Sequence, residues 1–120
     1  MNRSTLEQEI QLLHERVCYA LGDPTRILML YLLNEGEKCV NELTDNLNLP
    51  QSTVSRHLRV LRDRGLVKTK RHGTTILYSL VDERIIEALD ILRKILVKQL
   101  EDHADLAALL RNQESGKRSN

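Results

Sequence analysis

The feature that most constrains the fold is a break at Pro50 between two short amphipathic segments. Each segment carries apolar residues at spacings of three and four, which predicts one helix on either side of the break. Two helices joined by so short a connection form a helix-turn-helix, in which the first helix supports the second. The apolar positions are Val40, Leu43 and Leu47 before the break, and Val54, Leu58 and Leu61 after it.

Two further helices are predicted before this pair. Ser4 and Glu7 have the spacing of a capping box, and a narrow apolar seam then continues as far as Leu21. A second helix is expected over Pro24–Leu33, because Asp23 can cap it and proline is favoured in the first turn. The seam of the first helix consists of Leu6, Ile10, Leu13, Val17 and Leu21, and the expected inward face of the second consists of Ile27, Leu28, Tyr31 and Leu32.

A β-hairpin and a long last helix are predicted after the helix-turn-helix. The hairpin spans residues 66–80 with its turn at His72-Gly73, and the last helix starts near Asp82. The fold class is therefore mainly α with a β-hairpin wing, a winged helix-turn-helix with four helices, two strands and a fifth helix. We expect a single domain over residues 1–112, with terminal helices for dimerisation, and a disordered polar tail over residues 113–120.

Charge is concentrated in one part of the chain. The segment from Gln51 to His72 contains seven basic residues and one acidic residue, a net charge of +6, and since the chain carries +1 the remainder carries −5. A local basic patch on a nearly neutral protein is typical of a protein that binds a polyanion.

The placement of these charges predicts contacts with double-stranded DNA. Residues at the start of the fourth helix would reach base edges in the major groove, where Gln pairs with adenine and Arg with guanine. Basic residues of the hairpin would contact phosphates or the adjacent minor groove. The predicted DNA-binding residues are Gln51, Ser52, Thr53, Ser55, Arg56, His57 and Arg59 on the helix, and Lys68, Lys70, Arg71 and His72 on the hairpin.

The terminal helices predict a homodimer. Their seams are too apolar to face water, and neither helix is needed to complete the helix-turn-helix. Packed across a two-fold axis, they would present two recognition helices about 34 to 36 Å apart, one turn of DNA.

Composition excludes other classes of protein. The longest apolar run, Ile27–Leu33, is far shorter than the roughly 20 residues of a membrane span, so we expect a cytoplasmic protein without membrane contacts. Its two cysteines, Cys18 and Cys39, are then expected to be reduced. An enzyme is disfavoured, because no catalytic triad, phosphate-binding glycine loop or paired histidine motif is present.

Four stretches resemble, in order and spacing, the ArsR/SmtB family of winged-helix repressors. They are Ala20–Arg26, Gln51–Leu58, Leu61–Val67 and Tyr78–Leu80. The resemblance implies a dimer that blocks a promoter and releases it when an inducer binds.

The resemblance also implies where metal ligands would lie. The family's Cys-x-Cys pair corresponds to Cys39 and Asn41, so half of it is missing. Its last-helix zinc ligands correspond to Asp82, Arg84, Ile95 and Lys98, of which the last three cannot replace the family's ligands.

A different set of residues is a candidate for sensing. His14 and Cys18 lie four residues apart, and Cys39 could join them in a dimer. Soft ligands of this kind suit a thiophilic metal or metalloid, and the two thiols suit a redox switch or a persulfide switch. The opposing interpretation is that Cys18 is a small buried hydrophobic residue, Cys39 a surface thiol and His14 a solvated side chain. Two alternatives for the whole protein are a DNA-binding regulator without its own inducer and a protein–protein interaction module.

Overall fold

The computed structural model describes the chain from Asn2 to Arg118, and its side chains as far as Asn112. Five helices and one hairpin follow in the predicted order. The elements are α1 (Arg3–Leu13), a π-helical turn (His14–Cys18), α2 (Pro24–Asn34), α3 (Val40–Leu47), α4 (Gln51–Asp63), β1 (Val67–His72), β2 (Thr75–Leu80) and α5 (Arg84–Arg118). The fold is a winged helix-turn-helix, as the sequence predicts.

The first helix begins and ends differently from the prediction. Asn2 caps α1 by accepting a hydrogen bond from the Thr5 amide at 2.8 Å, so the predicted capping box at Ser4 is wrong. Ser4 instead lies inside the helix, where its neighbour Arg3 pairs with Glu7. After Leu13 the helix widens into the π-helical turn, a rare form that often marks functional sites.

α2 starts where the sequence predicts. The carboxylate of Asp23 accepts a hydrogen bond from the Thr25 amide at 2.8 Å, and Pro24 occupies the first turn. The predicted inward face was wrong. Leu28 is 50% exposed, and Ile27, Tyr31 and Leu32 are only partly buried. The buried residues of α2 are Met29, Leu30 and Leu33.

The helix-turn-helix is compact because two residues stop and restart the helical backbone. Asn48 adopts a left-handed conformation with φ 53° and ends α3, and its amide donates to the Thr44 carbonyl. Pro50 precedes α4, and its carbonyl accepts from the amides of Thr53 and Val54. Leu43 of α3 is fully buried, as are the predicted inward residues of α4, which are Val54, Leu58 and Leu61.

The wing is an antiparallel hairpin with Val67 opposite Leu80 and His72 opposite Thr75. Its turn falls at Gly73-Thr74, one residue later than predicted, and Gly73 supplies the positive φ of 65° that the turn requires. Lys38, two residues before the first residue of α3, also joins the hairpin. Lys38 and Tyr78 exchange backbone hydrogen bonds of 3.0 and 2.8 Å, which ties the wing to the helix-turn-helix.

The chain divides into two units, residues 1–86 and 87–120. The core of the first unit is formed mainly by aliphatic residues of α2, α3, α4 and β1. The second consists of most of α5, which is helical through Arg118, whereas the sequence analysis expects disorder from Gln113. Ser119 and Asn120 lie outside the described residues. The expected single domain over residues 1–112 stays a prediction. None of the helices between Asn2 and Arg118 contains a hydrophobic stretch of the length that a membrane span requires.

The corrected inward face of α2 can be tested by truncation. Leu30 is fully buried, so Leu30→Ala should lower the free energy of unfolding by about 2 to 5 kcal/mol. Leu28→Ala serves as the matched control and should lower it by less than about 1 kcal/mol. Urea denaturation at one fixed protein concentration measures both. Equal losses would contradict the observed burial.

Candidate DNA-binding surface

One face of α4 is buried through Val54, Leu58 and Leu61, and the opposite face, which is polar, therefore points outward. Most residues predicted to contact DNA are exposed there, whereas Thr53 is half-buried. The exposed positions are Gln51, Ser52, Ser55, Arg56 and Arg59. They share one side of a helix whose N-terminal end carries partial positive charge.

The wing adds a second group of cations. In β1, Lys68 and Lys70 point to one face of the hairpin and Arg71 to the other, because side chains alternate along a strand. All three are exposed, as is His72 at the end of the strand. Within the described residues, none of the cations predicted to contact DNA forms an ion pair. Their charge is therefore available to an anionic partner.

His57 does not lie with the exposed residues of α4. It is half-buried, and its Nδ1 accepts a hydrogen bond from Arg26 Nη1 of α2 at 3.3 Å. Burial lowers the pKa of His57, the charge of Asp23 opposes this, and Arg26 and Arg56 lower it further. The structure thus places His57 toward α2 rather than on the surface with the other predicted DNA contacts.

The Asp23 carboxylate lies near this histidine. Burial opposes its ionisation, but the hydrogen bond from the Thr25 amide and the charges of His57 and Arg26 outweigh burial, so the pKa of Asp23 is lowered. The cap of α2 is accordingly held in its ionised form.

Sequence reasoning assigned no role to two arginines beside this surface. Arg26 donates to the carbonyls of Ala20 and Tyr19, and Arg64 donates to the carbonyl of Glu15. In the sequence, Arg64 is one of the seven basic residues of the segment from Gln51 to His72. Arg64 is the C-cap of α4 and so lies past the last turn that carries the exposed arginines. This position is the sequence signal that sets Arg64 apart from the predicted DNA contacts.

The structure brings only two of the three candidate sensing residues together. His14 and Cys18 line one cleft of about 320 Å³ with Glu15, Tyr19 and Arg64. Cys18 is exposed, so the expectation that it is a small buried residue is wrong. Cys39 lines a different cleft, beside the turn of the wing. Within the described residues of one chain, no group of three or more His, Cys, Asp or Glu side chains could hold a metal ion.

Cys39 is the N-cap of α3. Its amide donates to Glu42 Oε1 at 3.2 Å, and its side chain completes a capping box with the Glu42 amide. The backbone and side-chain hydrogen bonds from Cys39 lower the pKa of Glu42. Cys39 therefore has a structural role whatever its chemistry.

The positions that correspond to a zinc site on α5 do not suit a metal. Both carboxylate oxygens of Asp82 accept hydrogen bonds from Arg84, the shortest at 2.6 Å, and this pairing lowers the pKa of Asp82 to about 2. Arg84 thus neutralises the one carboxylate that could serve as a ligand. Lys98 pairs with Asp102 instead.

Residues 23–69 match the family described as "Bacterial regulatory protein, arsR family". The chain is 42% identical over 77 residues to the HTH-type transcriptional regulator MJ1325 of Methanocaldococcus jannaschii, covering 63% of this chain and 86% of that protein. It is 42% identical over 66 residues to the HTH-type transcriptional repressor SmtB of Mycobacterium tuberculosis, covering 55% of this chain but only 49% of SmtB.

Two further similarities concern metals and assembly. A CadC homolog of Staphylococcus aureus, named as a cadmium resistance transcriptional regulatory protein, is 36% identical over 76 residues, 62% of this chain and 63% of that protein. The solution structure of the homodimeric winged helix-turn-helix DNA-binding domain of Mb0332 from Mycobacterium bovis matches with a TM-score of 0.72 and 26% identity. That match covers 86% of this chain and 93% of Mb0332. The names are those of transcriptional regulators rather than enzymes.

The environment of His57 predicts a pH dependence of stability. Its pKa in the folded protein lies below the ordinary value, so folding favours the neutral form. The contribution is present above about pH 6.5 and is lost as the pH falls through the lowered pKa. Thermal denaturation between pH 7.5 and 5 should show a smaller loss of stability for His57→Gln than for the wild type. The exposed His72→Gln is the control and should follow the wild type. A wild-type profile for His57→Gln would contradict this assignment.

Proposed function

Because this chain belongs to the arsR family of bacterial regulatory proteins, we propose that it is a homodimeric repressor that binds operator DNA and leaves it when its thiols meet an inducer. The observation that carries the DNA-binding part is the set of exposed cations on α4 and the wing, which have no ion-pair partner among the side chains described up to Asn112. They project from elements whose other faces are anchored in one aliphatic core.

In this proposal α4 is the recognition helix. Gln51 and Arg56 read base edges, Gln toward adenine and Arg toward guanine, and Ser52 and Ser55 contact phosphate or base edges at close range. Arg59 contacts the backbone. Thr53 and His57 support the helix from its inner side, since both are half-buried.

The wing supplies contacts that do not depend on sequence. Lys68, Lys70, Arg71 and His72 bind phosphates beside the recognition helix, and each phosphate neutralised releases counterions. Affinity therefore falls steeply with salt. The acidic remainder of the chain limits non-specific attraction to polyanions elsewhere on the molecule.

Dimer formation is supported by apolar side chains that one chain leaves exposed. Leu6 and Ile10 of α1 are 45% and 52% exposed, and Leu92 and Leu96 of α5 are 60% and 52% exposed. Seams of this kind are costly to leave in water, and pairing with a second copy removes them from it. The homodimeric Mb0332 domain has the same fold. Two copies then present two recognition helices to one face of the operator DNA. In this proposal the protein acts in the cytoplasm.

The inducer part of the proposal rests on thiol chemistry. The exposed Cys18 shares a cleft with His14, an arrangement that suits a thiophilic metal, a metalloid or a thiol-reactive species. Because Cys39 lines another cleft, it can join this pair only through a second copy of the chain. The similarity to the CadC homolog makes cadmium the first metal to try.

The division of labour between α4 and the wing can be tested with two substitutions. Arg56→Ala should weaken binding to the operator by about 1 to 3 kcal/mol and relax base preference. Lys70→Ala should weaken binding to every sequence and reduce the salt slope by about one. Fluorescence anisotropy on promoter and random DNA at several salt concentrations measures both. Indistinguishable behaviour of the two variants on the two DNAs would refute the assignment.

Release from DNA identifies the inducer class. The reduced, metal-free protein on DNA from its own promoter should be released by cadmium, by arsenite, or by a persulfide or oxidant. Cys18→Ser should abolish the release, and Cys39→Ser should do so if both copies contribute. Tight binding that no addition reverses would leave a repressor without a thiol inducer.

A further inference from the structure

Tyr19 lies between two arginines that come from different helices. The guanidinium carbon of Arg64 is 4.3 Å from the centre of the Tyr19 ring, and that of Arg26 is 5.8 Å away. Both distances are within the range of a cation–π contact. Tyr19 directly follows the π-helical turn. We call α1, the π-helical turn and the helical residues Tyr19 and Ala20 the first helical region, and Tyr19 lies at its end.

Arg64 compensates for a hydrogen bond that the π-helical turn bypasses. In a regular α-helix the Tyr19 amide would donate to the Glu15 carbonyl, but here it donates to the carbonyls of His14 and Arg16. The Glu15 carbonyl accepts from Arg64 Nη1 at 2.9 Å instead. A residue at the C-terminal end of the recognition helix thus satisfies the backbone of the π-helical turn.

Arg26 makes the corresponding connection from α2. Its Nε donates to the Ala20 carbonyl at 2.7 Å, and its Nη2 donates to the Tyr19 carbonyl at 3.1 Å. Its Nη1 donates to His57 in the middle of α4. One guanidinium therefore links the end of the first helical region to α2 and to the recognition helix.

We propose that Arg26, Arg64 and Tyr19 form an arginine clamp that fixes the recognition helix against the end of the first helical region, and that both arginines act in DNA binding by positioning α4. The inference rests on the proposed DNA-binding function. Arg26 and Arg64 differ from the exposed arginines of α4, because their guanidinium groups already bind backbone carbonyls, the Tyr19 ring and His57.

The clamp predicts a distinct response of DNA affinity. Without the clamp, only a fraction of the molecules hold α4 in the binding geometry, and the apparent affinity for DNA equals the intrinsic affinity multiplied by that fraction. No phosphate contact is lost, so the salt slope stays unchanged. A cation that binds phosphate gives the opposite result, since its removal lowers the slope and lysine can replace it.

The test uses Arg64→Lys, which keeps the charge but loses the planar group that stacks on Tyr19. We expect operator affinity about two- to fivefold lower, an unchanged salt slope and a lower Tm. Tyr19→Leu, which leaves every arginine in place, should do the same. Arg62→Lys, two residues earlier on α4 and half-exposed, is the matched control, and Tyr19→Phe keeps the ring; both should match the wild type.

A double-mutant cycle separates the clamp from the proposed function. If Tyr19 and Arg64 act together, the combined variant should lose less stability than the two single variants added. Additive losses, or wild-type affinity in folded Tyr19→Leu, would overturn the clamp. The clamp would also be overturned if Arg64→Lys bound the operator with wild-type affinity and Arg64→Met showed a reduced salt slope, because Arg64 would then act as a phosphate contact. The stability cycle needs no DNA, so a wild-type protein that fails to bind DNA would refute the function and leave the clamp to be judged by the cycle.

Discussion

Burial of one face of α4 is the constraint on which the rest of the structure depends. Val54, Leu58 and Leu61 are completely inaccessible to solvent, and their packing fixes which side of the helix faces outward. Each such side chain contributes on the order of 1.5 to 3 kcal/mol relative to exposure. Rotation of α4 about its axis would expose these residues and bury arginines, so the outward placement of Gln51 and Arg56 follows from the core.

In the proposed account, the cations of the basic segment serve two purposes that the sequence alone does not distinguish. Arg56 and Arg59 are exposed and form no ion pair with any side chain that the structure describes, whereas Arg64 is bound to a carbonyl and an aromatic ring. Glu15, Tyr19 and Arg64 of the clamp region also line the cleft that holds His14 and Cys18. An inducer that binds at His14 and Cys18 would therefore contact the same cleft as Tyr19 and Arg64, which position the recognition helix in the proposed account. Sensing and DNA binding would thus be connected at one place in the molecule.

The sequence predicted the helix-turn-helix, the wing and the outward face of α4, because apolar spacing there is unambiguous. It failed on α2, where every residue from Ile27 to Leu33 is apolar and the pattern cannot choose a face. The placement of His57 with the exposed residues of α4 was also wrong. His57 follows Val54 by three residues and precedes Leu61 by four, a helical spacing that indicates the buried side. The π-helical turn could not be predicted, since it is stabilised by Arg64, which lies far along the chain from Glu15.

Hydroxyl-radical footprinting on DNA upstream of the protein's own gene tests the central claim most directly. Two recognition helices related by a two-fold axis should protect two segments about 10 to 10.5 base pairs apart on one face of the duplex. Protection should vanish as the salt concentration rises. Absence of any protected pair, at low salt and at concentrations where the protein is dimeric, would contradict the account.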